Sequence, residues 1–186
     1  MFLQKVNIKE NWLDWIEIPF TKSKGYRLIV YPVIDDIVSS KRIKECLLDI
    51  IPNIEDFYAT PLPFFMNWGE VASMESMDDE KEFPTEYELY KKYAKFLYEN
   101  DVDFQYGGPC KVLNWEIFLE LIIPLASDFG GGETISIVHR IKEIFIYFHY
   151  SGEIGIWITS LPDFENLQKI IKHKGYRCDD AAFNIN

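Results

Sequence analysis

EIFIYFHYSGEIGIWIT, residues 143–159, is the stretch of this sequence that decides the fold. Two runs rich in isoleucine and aromatic residues flank Ser151 and Gly152, and such runs favour β-strands. A Ser-Gly pair between two strand-like runs is typical of a hairpin turn. We therefore predict a β-hairpin here, at the centre of an antiparallel sheet.

Other strand-like segments lie on both sides of this hairpin. Residues 26–34 (YRLIVYPVI) predict a strand, and Pro32 weakens its end or places it at a sheet edge. Residues 134–138 alternate Ile135 and Ile137 with polar neighbours, a pattern that favours a short strand. Residues 176–178 predict a short final strand.

Four segments predict helices that pack against the sheet. They are residues 36–51, 85–100, 115–125 and 163–174, and residues 9–18 are a candidate for a further short helix. In the first segment, Ile43, Cys46 and Leu47 share one face, and Pro52 ends the helix. The strands are separated from the helices along the chain. The pattern therefore predicts an α+β fold, with one antiparallel sheet packed against about four helices in a single domain of residues 1–186.

The composition is that of a protein with a packed apolar core, and its cysteines are those of a protein from a reducing compartment. The chain has 186 residues, of which 48% are hydrophobic and 16% aromatic, enough for a core without disulfides or metals. Cys46, Cys110 and Cys178 are far apart and odd in number, which favours free thiols. No secretion signal or membrane-length apolar run is present, so we expect a cytoplasmic protein that does not bind membranes.

The charge is concentrated in the middle of the chain. The net charge is −11, and residues 52–139 hold 17 acidic and 5 basic residues, whereas the flanking parts are nearly balanced. Such a field repels nucleic-acid phosphates and anionic lipids, and attracts basic proteins. The simpler alternative is a solvated acidic loop that only aids solubility.

Residues 52–84 predict an irregular acidic connection inside the domain. Prolines punctuate it, Phe64 to Trp68 form an aromatic cluster, and an acidic run from Glu75 to Glu88 is opposed only by Lys81. Connections of this length are often functional. We expect the first half to dock on the protein and the second half to be solvated.

Motifs for catalysis are isolated. Asp128-Phe129-Gly130 lacks the other kinase motifs, and Gly130-Gly131-Gly132 lacks the lysine of a phosphate-binding loop. Cys110 follows Gly107-Gly108-Pro109, so we expect it on an exposed turn, where a neighbouring histidine would have to activate it. Of the three histidines we expect one half-buried and two at the surface. The sequence thus identifies no catalytic residue, no metal ligand and no cofactor.

These observations favour a binding protein over an enzyme. In composition the chain is similar to bacterial immunity proteins, which are small, acidic and cytoplasmic and neutralise toxins, although no motif carries this likeness. The hypothesis is an inhibitor of a basic protein partner, most simply a nuclease-like toxin. An inhibitor of a nucleic-acid enzyme, of the kind that phages encode, would use the same physics. The expected partner-binding residues are Trp68, Asp78, Asp79, Glu80, Glu82, Glu86, Tyr87, Glu88, Tyr90, Asp101 and Asp103. The alternatives are a small enzyme with a scattered His, Cys and carboxylate site, and a structural or assembly subunit.

Overall fold

A computed structural model describes residues 1–6, 24–32, 39–61, 84–102, 106, 108–127, 135–139, 141–149 and 151–184. The strands are β1 (Leu3–Lys5), β2 (Lys24–Tyr31), β3 (Tyr58–Ala59), β4 (Cys110–Val112), β5 (Ile137–His139), β6 (Ile144–Phe148), β7 (Ile154–Ile158) and β8 (Arg177–Asn184). The α-helices are α1 (Ser40–Ile50), α2 (Pro84–Glu99), α3 (Trp115–Ser127) and α4 (Leu161–His173). A 3-10 turn spans Ile54–Asp56.

The β6–β7 hairpin lies near the middle of one eight-stranded sheet, as the sequence predicts. The strand order is β1-β4-β3-β5-β6-β7-β2-β8, and all neighbours pair antiparallel. In the hairpin, Ile144 lies opposite Ile158 and Phe148 lies opposite Ile154. Gly152 has a φ of 90°, a value that suits glycine, and its N–H donates to the His149 carbonyl at 2.9 Å. The predicted α+β class and the single domain are confirmed.

One face of the sheet and the four helices share the main core. Alternate residues of the central strands point toward this core, because successive side chains of a strand face opposite sides. The fully buried members include Leu28, Val30, Ile146, Ile156 and, from the helices, Ile43, Leu47, Phe118 and Ile171. Burial of each such side chain contributes roughly 1.5–3 kcal/mol, which makes this layer the main source of stability.

The opposite face of the sheet carries a smaller aromatic cluster. Tyr58, Val138, Phe145 and Trp157 are direct neighbours across four adjacent strands. Val138 and Phe145 are buried, and the guanidinium of Arg27 lies 5.9 Å from the centre of the Trp157 ring. Cross-strand aromatic pairs of this kind stabilise the pairing of strands.

Asn100 joins the end of α2 to the first edge strand. It is buried, and its Oδ1 accepts hydrogen bonds from the N–H groups of Phe2 and Leu3, the latter at 3.0 Å. Its Nδ2 donates to the Phe96 carbonyl at 2.7 Å. The residue therefore satisfies an edge N–H that would otherwise be open to another strand.

Several predicted boundaries differ from the structure. Helix α3 ends at Ser127, two residues beyond the predicted end, and continues through Pro124. Asn114 caps its start by accepting from the Ile117 N–H at 3.0 Å. β8 has eight residues instead of three, because it pairs with β2 along its whole length. Strands β1, β3 and β4 were not predicted, and β3 lies within the connection expected to be irregular.

Some predicted elements lie outside the described residues. They are the candidate helix at 9–18, the glycine run 130–132, and residues 62–83 of the acidic connection. The predicted first helix begins at Ser40, where Ser39 caps it by accepting from the Arg42 N–H at 3.3 Å, and residues 36–38 also lie outside.

Candidate protein-binding surface

Helix α2 fixes the acidic connection to the core. Tyr93, Phe96 and Leu97 lie on its inner face and are 1%, 7% and 0% exposed. The Tyr93 hydroxyl donates to the Pro61 carbonyl, and burial raises the pKa of this hydroxyl well above its usual value, so it remains a donor. The chain thus leaves the described structure at Pro61, beside α2, and rejoins it at Pro84, where α2 begins.

The other end of α2 is closed by Asp101 in a left-handed conformation. Its φ is 59°, its N–H donates to the Tyr98 carbonyl at 3.0 Å, and the Val102 N–H donates to the Leu97 carbonyl at 2.9 Å. This is the Schellman arrangement, in which glycine usually holds the left-handed position. A carboxylate there also faces the negative end of the helix dipole. Asp101 therefore occupies a position where glycine would be more stable.

Replacing Asp101 with glycine is expected to raise the free energy of unfolding by about 0.5–1 kcal/mol. The gain comes from relief of the left-handed backbone and removal of a charge from the helix C-terminus. Urea denaturation of Asp101→Gly and Asp101→Asn separates these causes, because asparagine removes the charge and still tolerates the conformation. If Asp101→Gly is less stable than wild type, the ion pair of the Asp101 carboxylate with Lys5 stabilises the fold by more than the left-handed backbone and the helix dipole destabilise it.

Carboxylates near α2 are neutralised by lysines of the same chain. In residues 84–102 the structure describes the side chains of three acidic residues, and each carboxylate lies within 4 Å of a lysine Nζ. The pairs are Glu88 with Lys91 at 3.9 Å, Glu99 with Lys95 at 3.8 Å, and Asp101 with Lys5 at 3.5 Å. Exposed ion pairs contribute only about 0–1 kcal/mol to stability. Their opposite charges nevertheless cancel for a partner that approaches from solution.

The predicted binding residues divide into three groups. Glu88 and Asp101 are exposed and form the ion pairs just described. Glu86, Tyr87 and Tyr90 lie in α2, within two turns of its start. Outside the described residues lie Trp68, Asp78, Asp79, Glu80, Glu82 and Asp103. The structure therefore brings Glu86, Tyr87, Glu88 and Tyr90 together on one helix, with Asp101 at its far end.

A second carboxylate cluster, not predicted from the sequence, lies between α1 and α3. Lys44 Nζ lies 2.8 Å from a Glu116 carboxylate oxygen and 2.6 Å from one of Glu120. Hydrogen bonds to these two carboxylates raise the pKa of Lys44, so the ammonium stays charged. A cavity of about 260 Å³ adjoins it and is lined by Ser40, Lys41, Lys44 and Glu120. The spacing of Glu116 and Glu120 by four residues was visible in the sequence, but the position of Lys44 opposite them was not.

The expectation that Cys110 lies on an exposed turn is wrong. Cys110 is buried in β4, where its side chain joins the main core, and burial raises the pKa of its thiol to about 12. Cys46 in α1 is also buried, and burial again raises its thiol pKa to about 12. A nucleophilic cysteine needs a lowered pKa, so neither thiol suits that chemistry.

The histidines are more buried than expected. His139 is buried, His149 is half-buried and His173 is exposed, whereas the sequence predicted one half-buried and two surface side chains. His139 was misjudged because the packing of the 3-10 turn against β5 is not visible in a local pattern. Its ring meets Phe57 edge to face at 4.9 Å.

Over the part of the chain that the structure describes, no group of three or more His, Cys, Asp or Glu side chains could hold a metal ion. Among the described helices, none combines the length and apolar character needed to cross a membrane. No protein-family model, curated protein or solved structure matches this chain.

Proposed function

We propose that this chain is an acidic inhibitor protein, an immunity protein that neutralises a basic, nuclease-like bacterial toxin. Its acidic residues would bind the cationic surface with which the toxin holds nucleic acid. Carboxylates there take the place of substrate phosphates and block access to them. Inhibition by this route needs tight binding and no chemical step.

One observation supports the proposal above the others: the sequence concentrates negative charge in the short run from Glu75 to Glu82. Within α2 the three glutamates are matched by three lysines, and the described carboxylates near it are paired. The run from Glu75 to Glu82 contains five acidic residues and Lys81 alone, and it joins the helix at Pro84. A charge of one sign that is not cancelled locally attracts partners of the opposite sign.

The attachment of this run to a fixed helix favours recognition. α2 is held by the buried residues Tyr93 and Phe96, and Tyr93 also holds Pro61 at the opposite end of the connection. Tyrosine and tryptophan are common energetic centres of interfaces. Tyr87, Tyr90 and Trp68 are therefore the proposed anchors, while the carboxylates set the rate of encounter.

Affinity capture tests the proposal. The wild-type chain is immobilised and exposed to an extract of the cells that encode it, at about 50 mM salt, where surface charges are weakly screened. We expect retention of a basic protein that acts on nucleic acid, and loss of its activity when it is bound. A bait with Asp78→Lys, Asp79→Lys, Glu80→Lys and Glu82→Lys is expected to lose that protein.

The matched control carries an equal change of charge at other sites of the chain. Its substitutions are Glu45→Lys, Glu55→Lys, Glu153→Lys and Glu165→Lys, which lie on α1, the 3-10 turn, the β6–β7 turn and α4. It is expected to capture the same protein as wild type. Equal loss in both baits would show that total charge, and not the acidic run, is responsible.

Growth of cells tests the immunity function separately. The captured protein is expressed alone, with the wild-type chain, and with the charge-reversed chain. We expect growth to stop in the first and third cases and to continue in the second. Growth arrest in all three cases would contradict an inhibitory role even if the two proteins bind.

A further inference from the structure

His139 ends β5, and its imidazole lies between the 3-10 turn and the turn that joins β5 to β6. The ring packs on Phe57 after the 3-10 turn, and the side chain is only 8% exposed. Its Nδ1 accepts a hydrogen bond from the Lys142 N–H at 3.2 Å, across the turn between β5 and β6. An imidazole that accepts through Nδ1 carries its proton on Nε2 and is neutral.

The turn that His139 holds contains backbone strain. Glu143 has a φ of 49°, in the left-handed region that a non-glycine residue rarely adopts. The Thr159 hydroxyl donates to the Glu143 carboxylate at 2.7 Å and ties the end of the turn to the chain after β7. At the tip, Ile141 is 89% exposed. The turn thus exposes a large apolar side chain, while its backbone holds a strained conformation that contacts from other parts of the fold must stabilise.

We propose that neutral His139 is a latch for the β5–β6 turn, and that protonation of its imidazole opens this turn. An imidazolium has N–H donors at both nitrogens and no acceptor. The Lys142 N–H would then face another donor, and the turn would lose the bond that spans it. Glu143 could relax from its left-handed conformation, and the position of Ile141 would no longer be fixed.

The charged groups around His139 shift the pKa of its imidazole in opposite directions. Burial lowers the pKa of His139, and the Lys142 ammonium on the turn lowers it further. Asp56 on the 3-10 turn and Asp163 in the first turn of α4 raise it, but the net shift is downward. Since the folded protein favours the neutral ring, the latch is complete above about pH 6.5, the ordinary value for histidine. It is lost as the pH falls through the lower value of the folded state.

Nuclear magnetic resonance measures the latch on the whole chain. The His139 ring signals give its titration, and hydrogen exchange gives the protection factor of the Lys142 amide between pH 7.5 and 5. We expect the protection factor to fall at least tenfold with the same midpoint as the ring. The Val102 amide, bonded to the Leu97 carbonyl at 2.9 Å at the end of α2, is expected to keep its protection.

His139→Asn is the matched variant, because the asparagine Oδ1 can accept where Nδ1 does and does not titrate. In this variant we expect the protection of Lys142 to vary less than twofold over the same range. A variant that keeps the tenfold loss would overturn the proposal and point to the surrounding carboxylates. A wild-type ring that titrates while Lys142 stays protected would overturn it as well, whether or not the variant folds.

Discussion

Phe118→Ala is expected to lower the free energy of unfolding by about 3–5 kcal/mol. Phe118 is completely buried on α3, 5.8 Å from the ring of Trp115 and 6.4 Å from that of Phe96 on α2. Phe96 in turn stacks on Phe2 at 6.2 Å. Removal of one ring leaves a cavity where α2, α3 and the first strand meet, and the surrounding backbone cannot close it fully.

Guanidinium denaturation of Phe118→Ala, Phe118→Leu and Tyr98→Ala measures this effect. Leucine fills much of the lost volume and is expected to cost less than alanine. Tyr98 is 84% exposed on α2, so its replacement by alanine is expected to cost less than about 0.5 kcal/mol. If Phe118→Ala cost no more than Tyr98→Ala, the aromatic packing that holds α2 would not contribute as described.

Reversal of the four acidic residues Asp78, Asp79, Glu80 and Glu82 to lysine is expected to slow association with the captured partner by roughly 10- to 1,000-fold at low salt. The dissociation rate is expected to change less, because distant charge acts mainly on the encounter. The free energy of unfolding is expected to stay within about 0.5 kcal/mol of wild type. Stopped-flow mixing of the purified proteins gives the association rate.

A second control removes charged residues that already neutralise each other on α2, and so leaves the excess negative charge of the acidic run in place. Glu88→Gln combined with Lys91→Gln removes the 3.9 Å ion pair on α2 and leaves the net charge unchanged. This double variant is expected to associate within twofold of wild type. A reduction as large as that of the reversed protein would show that the charged residues of α2, and not the acidic run, set the rate of encounter.

The sequence predicted the elements whose apolar residues form one continuous run or recur with a clear period. The two halves of the hairpin are continuous apolar runs around Gly152, and α1 places Ile43, Cys46, Leu47 and Ile50 on one face. The last helix was predicted to within two residues of its start, where Ser160 accepts from the Asp163 N–H at 3.4 Å. Local patterns suffice when burial acts on one continuous face of an element.

Elements that depend on distant partners were missed. β3 has two residues and β4 has three, too few for a periodic signal, and they form because Tyr58 and Lys111 meet across the sheet. The predicted length of β8 was too short because aspartate has a low intrinsic preference for strands, and Asp179 and Asp180 lie in its middle. The glycines before Cys110 suggested a turn, whereas the residue itself pairs with Lys5 and Ala59.

The candidate surface was predicted in part. The segregation of charge was readable from the sequence, but the pairing of Glu88, Glu99 and Asp101 with lysines was not, because Lys5 is 96 residues from Asp101. We therefore expect the run from Glu75 to Glu82, which lies outside the described residues, to contribute more to recognition than these three carboxylates. The role of that run remains a prediction.

The central claim is that uncompensated negative charge in one segment recruits a cationic protein. The most direct test is the association rate of the wild-type chain with its captured partner at ionic strengths from about 50 to 500 mM, over which the screening length falls from roughly 14 to 4 Å. We predict that the rate falls at least tenfold over this range, and that the charge-reversed chain shows a much weaker dependence. A wild-type rate that does not change with ionic strength would contradict the account.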